Sequence, residues 1–352
     1  MFKSIIFVVL AFIISCDQFK PAQGRNDRIV VFGDEVLWQS MRDTLHETIA
    51  APWNVPGREL KYILAYKKFE DFGLYKNQKN LLFIVAENQK NVLNKLADQI
   101  IPATFKPYIE NETYNFFLFK NVYAKDQLVM MIVLKNHNTA ADIFGSQFKK
   151  LETFRKFEEA IQERLLSETF RYQEDDDAHN LMIENHGYSI RTPYRFHMID
   201  NNVNKDSNLV SIFQHYPIQW AITRKLHNVE SDQLDVDFLM DHRDIIMNHY
   251  FEGDSVDRDG LVISDIEVDS LKGIRVQGGY LHYDDGILTS GGPFITYGLY
   301  DEELKLVYFL DAQVFDLGKR KSADLMKMES ILKTFKKVRP NKSKFTQLAK
   351  SR

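Results

Sequence analysis

Residues 273–315 read GIRVQGGYLHYDDGILTSGGPFITYGLYDEELKLVYFLDAQVF. Three runs rich in apolar, β-branched and aromatic residues are separated by Asp284-Asp285-Gly286 and by Asp301-Glu302-Glu303. Asp-Gly between alternating runs is a strong short-range hairpin signal, so the stretch predicts an antiparallel meander. Residues 324–335 follow as a helix, with Leu325, Met328, Leu332 and Phe335 on one stripe. Working back, 196–199, 209–216 and 219–224 read as strands and 236–251 as a helix. Helices beside an antiparallel sheet define an α+β arrangement.

The preceding half has the same ingredients. RIVVF at 28–32 is a strand, Gly33-Asp34 turns it, and Trp38, Met41, Leu45 and Ile49 recur at helical spacing within 36–50. Strands are predicted at 60–66, 81–86, 114–119 and 127–135, with a short helix at 88–99 and a long one at 139–170. The acidic run Glu174 to Asp177 reads as a solvated loop or cap before a short helix from Ala178. The expected fold is therefore α+β, as two α/β-sandwich-like halves with mainly antiparallel sheets, each packed by helices. The expected boundaries are 28–186 and 187–337, with a basic tail at 338–352. From Lys333 onward the chain carries eight Lys or Arg and no Asp or Glu.

The N-terminus gives an address. Lys3 precedes ten apolar or small residues at 5–14, and Ser15 leads into Cys16, the only cysteine among 352 residues. Ten residues are too few to cross a bilayer core, which needs roughly 20, but they fit the apolar region of a signal peptide. A small residue before a lone cysteine fits lipoprotein processing: residues 1–15 are a signal peptide and Cys16 is the lipidation site. Two or more acyl chains, palmitate among them, anchor stably where one is marginal. Residues 16–27 are polar, with Pro21 and Gly24, as in a tether. Without a second thiol no internal disulfide can form, so the folded part rests on its core. Its 44% hydrophobic and 13% aromatic content is that of a globular chain. A net charge of −4 gives no field suited to nucleic acid.

Several catalytic patterns fail on chemistry. The Gly33-Asp34 turn resembles the nucleophile block of SGNH hydrolases, but Glu35 stands where serine is required. Asp176 and His179 lie mid-chain, and Gly253-Asp254-Ser255 follows a helix and comes after that pair. The first turn has one glycine where a dinucleotide loop wants three. His242 and His249, flanked by Asp241 and Asp244, are separated by about 10.5 Å along one helix, too far to share an ion. Ser255, Asp257, Asp259 and Gly260 imitate the start of an EF-hand loop, but Ile266 occupies the position of the bidentate carboxylate and Glu267 is one place late. An ordinary surface turn is expected there. No catalytic residue, metal ligand or cofactor is assigned.

The least ordinary feature is the set of glycine pairs. Gly278-Gly279 and Gly291-Gly292-Pro293 interrupt predicted strands, and glycine in a strand marks a bulge or a close backbone approach. With Tyr280, Tyr283, Phe294 and Tyr297 they form a candidate binding surface, the alternative being sheet curvature and core. Pro293 suggests a sheet edge or bulge.

DEVLW, VYAKDQLVMMIV, YSIRTPYRF, the RD of DHRDIIM, GGYLHY, GGPFITYGLYDEELKLVYFLDAQVF and LMKMESILKTF occur in that order along the chain. Together they resemble an uncharacterised, Bacteroidetes-type family of Gram-negative lipoproteins, a domain of unknown function. The second half is also similar to the Mog1/PsbP-like arrangement. The resemblance implies export and a two-part α+β body, and carries no catalytic residue, cofactor or substrate. The leading expectation is a non-enzymatic, lipid-anchored protein at the outer membrane, facing the periplasm, that binds an envelope protein or ligand through the second half's sheet. The alternatives are an envelope hydrolase whose Asp, Glu and His residues only the fold assembles, and a structural envelope component.

Overall fold

Residues 80–86 and 128–134 are unbroken apolar or nearly apolar runs, and every residue of both is buried. A strand buried on both faces is the mark of a parallel sheet rather than of a half-solvated antiparallel one. The computed structural model bears this out. It describes residues 19–51, 59–89, 91–105, 107, 114–136, 147–171, 173–200, 209–250 and 254–338, with side chains except at 114, 115, 147–154 and 200. Residues 1–15, expected to be a signal peptide, Cys16 and tail residues 339–352 lie outside them. The chain divides into two compact units, residues 1–52 with 60–164 and residues 53–59 with 165–352. The sequence reading put the boundary at 186/187.

The first unit contains β1 (Arg28–Gly33), α1 (Glu35–Thr48), β2 (Ile63–Lys67), α2 (Phe72–Tyr75), β3 (Asn80–Ala86), α3 (Val92–Ile100), β4 (Tyr114–Lys120), β5 (Leu128–Leu134) and most of α4 (Gln147–Thr169). Its sheet has the order β2-β1-β3-β5-β4. β1 runs parallel to β2 and β3, and β3 parallel to β5; only β4 is antiparallel. The expectation of a mainly antiparallel sheet in this half is thereby corrected. Helix α1 starts where Asp34 accepts from the Val36 and Leu37 backbone N–H groups, satisfying donors that an uncapped helix leaves bare. Residues 20–27, expected to be free tether, are hydrogen-bonded along this unit: Ala22 N–H donates to Lys125 O at 2.8 Å and Gln23 N–H to Asn77 O at 2.8 Å.

The second unit contains α5 (Asp176–His186), β6 (Tyr188–Ser189), β7 (His197–Asp200), β8 (Leu209–Gln214), β9 (Ile218–His227), α6 (Val236–Tyr250), β10 (Asp254–Val268), β11 (Leu271–Asp284), β12 (Ile287–Asp301), β13 (Leu306–Phe315), α7 (Ser322–Leu332) and β14 (Lys336–Lys337). The predicted meander is present as β11, β12 and β13, inside a seven-stranded sheet of order β10-β11-β12-β13-β9-β8-β7. Every neighbouring pair in it is antiparallel. The whole is α+β, with a mixed sheet in the first unit and, in the second, this antiparallel sheet and a two-stranded antiparallel pair of β6 with β14. Helix α6 covers one face, packing Leu239, Met240, Ile246 and Met247 on Val276, Phe294, Val307 and Phe309. Helix α7 covers the other, where Tyr297 and Glu329 meet. The Ser255–Gly260 stretch is not the surface turn expected of it but part of β10, which pairs with β11 on both sides of a bulge. No helix among the described residues is long and apolar enough to cross a membrane.

Candidate functional site

Close approach explains two of the paired glycines, Gly278 and Gly292. A Cβ on Gly278 would lie 2.5 Å from a Leu261 methyl, and one on Gly292 would meet the Tyr280 hydroxyl at 2.8 Å and collide with the Val314 carbonyl oxygen. Gly292 thus leaves room for the Tyr280 ring, whose hydroxyl donates to that carbonyl at 3.4 Å. Of the predicted binding surface, Gly278, Gly279, Tyr280, Gly292, Pro293, Phe294 and Tyr297 are buried and Gly291 is half-buried. Only Tyr283 is exposed. Phe294 faces α6 and Tyr297 faces α7, so the set belongs to two sides of the sheet. The sheet packing kept as the alternative is what these residues do. β12 has a neighbour on each side, but its ladder with β13 stops at Phe294–Gln313, one residue before Pro293 would need a partner there. That is why proline is tolerated.

The α6 face carries the polar chemistry of the unit. Arg243 is fully buried; its Nε donates to Asp311 Oδ1 at 3.0 Å and its Nη2 to Gln313 Oε1 at 2.6 Å. The guanidinium lies 4.0 Å from the Phe294 ring centroid, a cation–π contact away from water. Thr296 Oγ1 donates to the same Asp311 oxygen at 2.5 Å. Burial pushes the Asp311 carboxyl above its ordinary range, opposed by Arg243 and Thr296. Arg243 Nη1 and Asp311 Oδ2 have no hydrogen-bond partner among the described residues.

Along the same face, the buried Asp254 carboxylate lies 2.5 Å from Nδ1 of the half-buried His282. Burial raises the Asp254 pKa, and the His282 hydrogen bond and the charges of His282 and Arg243 oppose it. An ionised carboxylate only accepts, so it holds the proton on Nδ1 and leaves Nε2 with its lone pair when the ring is neutral. On the opposite face Glu329 accepts from Arg275 Nε at 2.7 Å and from the Tyr297 hydroxyl at 3.0 Å. Lys327 donates to Gln219 Oε1 at 2.9 Å, and burial lowers its pKa.

Residues weighed from the sequence have structural roles. Asp241 and Asp244 are bridged by Arg258 at 2.9 and 2.7 Å, and His242 Nδ1 lies 2.9 Å from the Phe238 carbonyl oxygen. Asp175 caps α5 through the Ala178 N–H, and Glu174 pairs with Arg191, whose hydrogen bond lowers the Glu174 pKa. Among the described residues no cluster of three or more His, Cys, Asp or Glu could hold a metal ion. The Asp254–His282 pair and the Arg243 network escaped sequence reading because their members are far apart in the chain.

The second unit is thus an α+β module with one antiparallel sheet between helices and an ionic core on one face. Residues 175–334, most of that unit, match the family described as a domain of unknown function, DUF4837. No curated protein matches the chain. Solved structures with some likeness include the Ran-binding protein Mog1p of Saccharomyces cerevisiae, at 10% identity over 43% of this chain and 90% of that one, with a TM-score of 0.29. A Mog1 mutant is similar at 9% identity over 44% and 92% of the two chains, also with a TM-score of 0.29. A Bacteroides thetaiotaomicron protein aligns at 6% identity over 44% of this chain and 46% of its own, with a TM-score of 0.26.

Proposed function

We propose that the chain is a lipid-anchored interaction protein of the bacterial cell envelope, held at the outer membrane by acylated Cys16 and facing the periplasm. In this reading the second unit takes an extended, basic segment of an envelope protein onto the free edge of β10. The address is supported by the sequence of residues 1–16 alone. Binding is supported by one observation: β10 is a 15-residue strand at the end of the sheet, with a partner on one side only among the described residues. An open edge presents a row of backbone donors and acceptors that an added strand can use. Val262 and Ile263 are exposed there and offer apolar contact, while exposed Asp259, Asp265 and Glu267 favour a basic partner. Arg258 is committed to Asp241 and Asp244 and does not neutralise them. A second copy of the strand is disfavoured, because like charges facing across an antiparallel pair repel.

A photo-crosslinking residue at Ile263 of the anchored, full-length protein should give a discrete adduct that weakens with added salt. The same residue at Leu74, exposed in the first unit, should not. Adducts from both positions, or from neither, would rule the edge out. The anchor is tested separately: Cys16→Ser should abolish lipid labelling and release the protein from membranes, and retention with label would exclude it.

A further inference from the structure

Two bulges bring three residues into one row. From the turn between β10 and β11 the register pairs Val268 with Leu271 and Val262 with Gln277, so an unbroken ladder would set Asp257 opposite His282. The bulge after Asp257 shifts the pairing and sets Asp254 there instead. Likewise the β11–β12 hairpin pairs Tyr283 with Leu288, and an unbroken ladder would put Thr289 opposite His282. A second irregularity leaves Thr289 out and puts Ser290 opposite His282. Thr289 Oγ1 instead donates to the His282 carbonyl at 3.2 Å. Direct partners in an antiparallel pair lie on the same face with Cβ atoms about 5 Å apart. Asp254, His282 and Ser290 therefore stand side by side on three adjacent strands, on the face that also carries Tyr280 and Arg243. Bulges are common beside active sites because they re-aim side chains.

We propose that Asp254, His282 and Ser290 form an acyl-transfer site that cleaves carboxylic esters with an apolar acyl group. Asp254 fixes the imidazole through Nδ1–H, and Nε2 is the base for the serine hydroxyl. Ser290 Oγ bonds to the ester carbonyl carbon while its proton passes to His282 Nε2. The carbonyl re-forms as the bond to the leaving oxygen breaks, and that oxygen takes the proton from Nε2. Water, deprotonated by the same nitrogen, then releases the acid and restores Ser290. Ile287, exposed at 68%, pairs with Asp284, which strand alternation sets on the same face as His282, and supplies apolar contact for the acyl chain.

The site does not depend on the β10 interaction, and its test is independent of it. Full-length protein is treated with a fluorophosphonate probe and with p-nitrophenyl butyrate, and the labelled residue is located by peptide mass spectrometry. Label on Ser290 is expected, absent in Ser290→Ala and slowed at least about 100-fold in His282→Asn, with Asp254→Asn between His282→Asn and the wild type. Thermal unfolding of each variant separates loss of chemistry from loss of fold, and Leu304→Ala, exposed on the β12–β13 turn and outside the row, should keep wild-type labelling. No label on Ser290, or wild-type labelling of His282→Asn, would overturn the proposal.

Discussion

The two sheets bury polar groups to different ends. In the first unit the strand interior is apolar, Val30, Phe32, Leu81, Phe83, Val129 and Met131 among its core. Its buried polar side chains mostly fasten loops by bonding backbone carbonyls. Asn80 donates to Asn26 O and Arg28 O, Gln127 to Lys76 O and Gln78 O, and Arg164 to Lys79 O and Asp126 O. In the second unit the buried polar groups bond one another's side chains in the middle of the sheet, as Arg243, Asp311, Thr296 and Gln313 do. Loop fastening satisfies the backbone with neutral amides and one guanidinium. An ionic layer within a sheet costs desolvation that only good geometry offsets. In the second unit this ionic layer sits on one face of the sheet beside the half-exposed His282, whereas the buried carboxylate of the first unit, Asp27 with Arg25, lies outside its sheet.

That contrast can be broken most severely at Arg243. Arg243→Ala strands Asp311 without its cation, and should lower stability by about 3–5 kcal/mol in equilibrium denaturation. Adding Asp311→Leu should restore a large part of the loss, since the apolar pair removes both charges; failure to restore it would mean that the ionic pair is net stabilising. A smaller effect is expected at Gly292→Ala, which drives a methyl against the Tyr280 hydroxyl and the Val314 carbonyl and should cost about 1–3 kcal/mol. A loss below a few tenths would show that Tyr280 moves freely aside. The smallest effect is a slope. Asp254 has a raised pKa in the folded protein, so between its unfolded value, about 3.9, and its folded one the native state binds the extra proton. Its contribution to stability therefore falls as pH rises through that window. Glu174, lowered by Arg191, contributes in the opposite sense, its stabilisation being lost as pH falls. The stability difference between wild type and Asp254→Asn should drift with pH in the direction set by Asp254; a flat difference would show that Asp254 is not shifted.

Much of the fold was legible because it is local. Trp38, Met41 and Leu45 at helical spacing mark α1 and are buried as a set, and Asp285-Gly286 marks the β11–β12 turn, where both residues take positive φ. The strand direction in the first unit was misread although a signal was present: β3 and β5 are apolar at every or nearly every position, which half-exposed antiparallel strands cannot afford. Of the glycine pairs, Gly278 and Gly292 are points of close approach, but the partner of each is not readable from local sequence. A missing Cβ says that something comes near, not that it is Leu261 or Tyr280.

The sequence by itself determined the identity and period of the elements, the hairpin turns and the solitary Cys16, because each depends on residues within a few positions of one another. Tertiary structure alone decided which side chains share a site. His282 and Asp254 are 28 residues apart, and their contact depends on a bulge that no local pattern announces. Side chains alternate along a strand, so a shift of one residue sends every one of them to the other face. Two small irregularities, at Asp257 and at Thr289, thus choose between a sheet with scattered polar residues and one that sets Asp254, His282 and Ser290 in line.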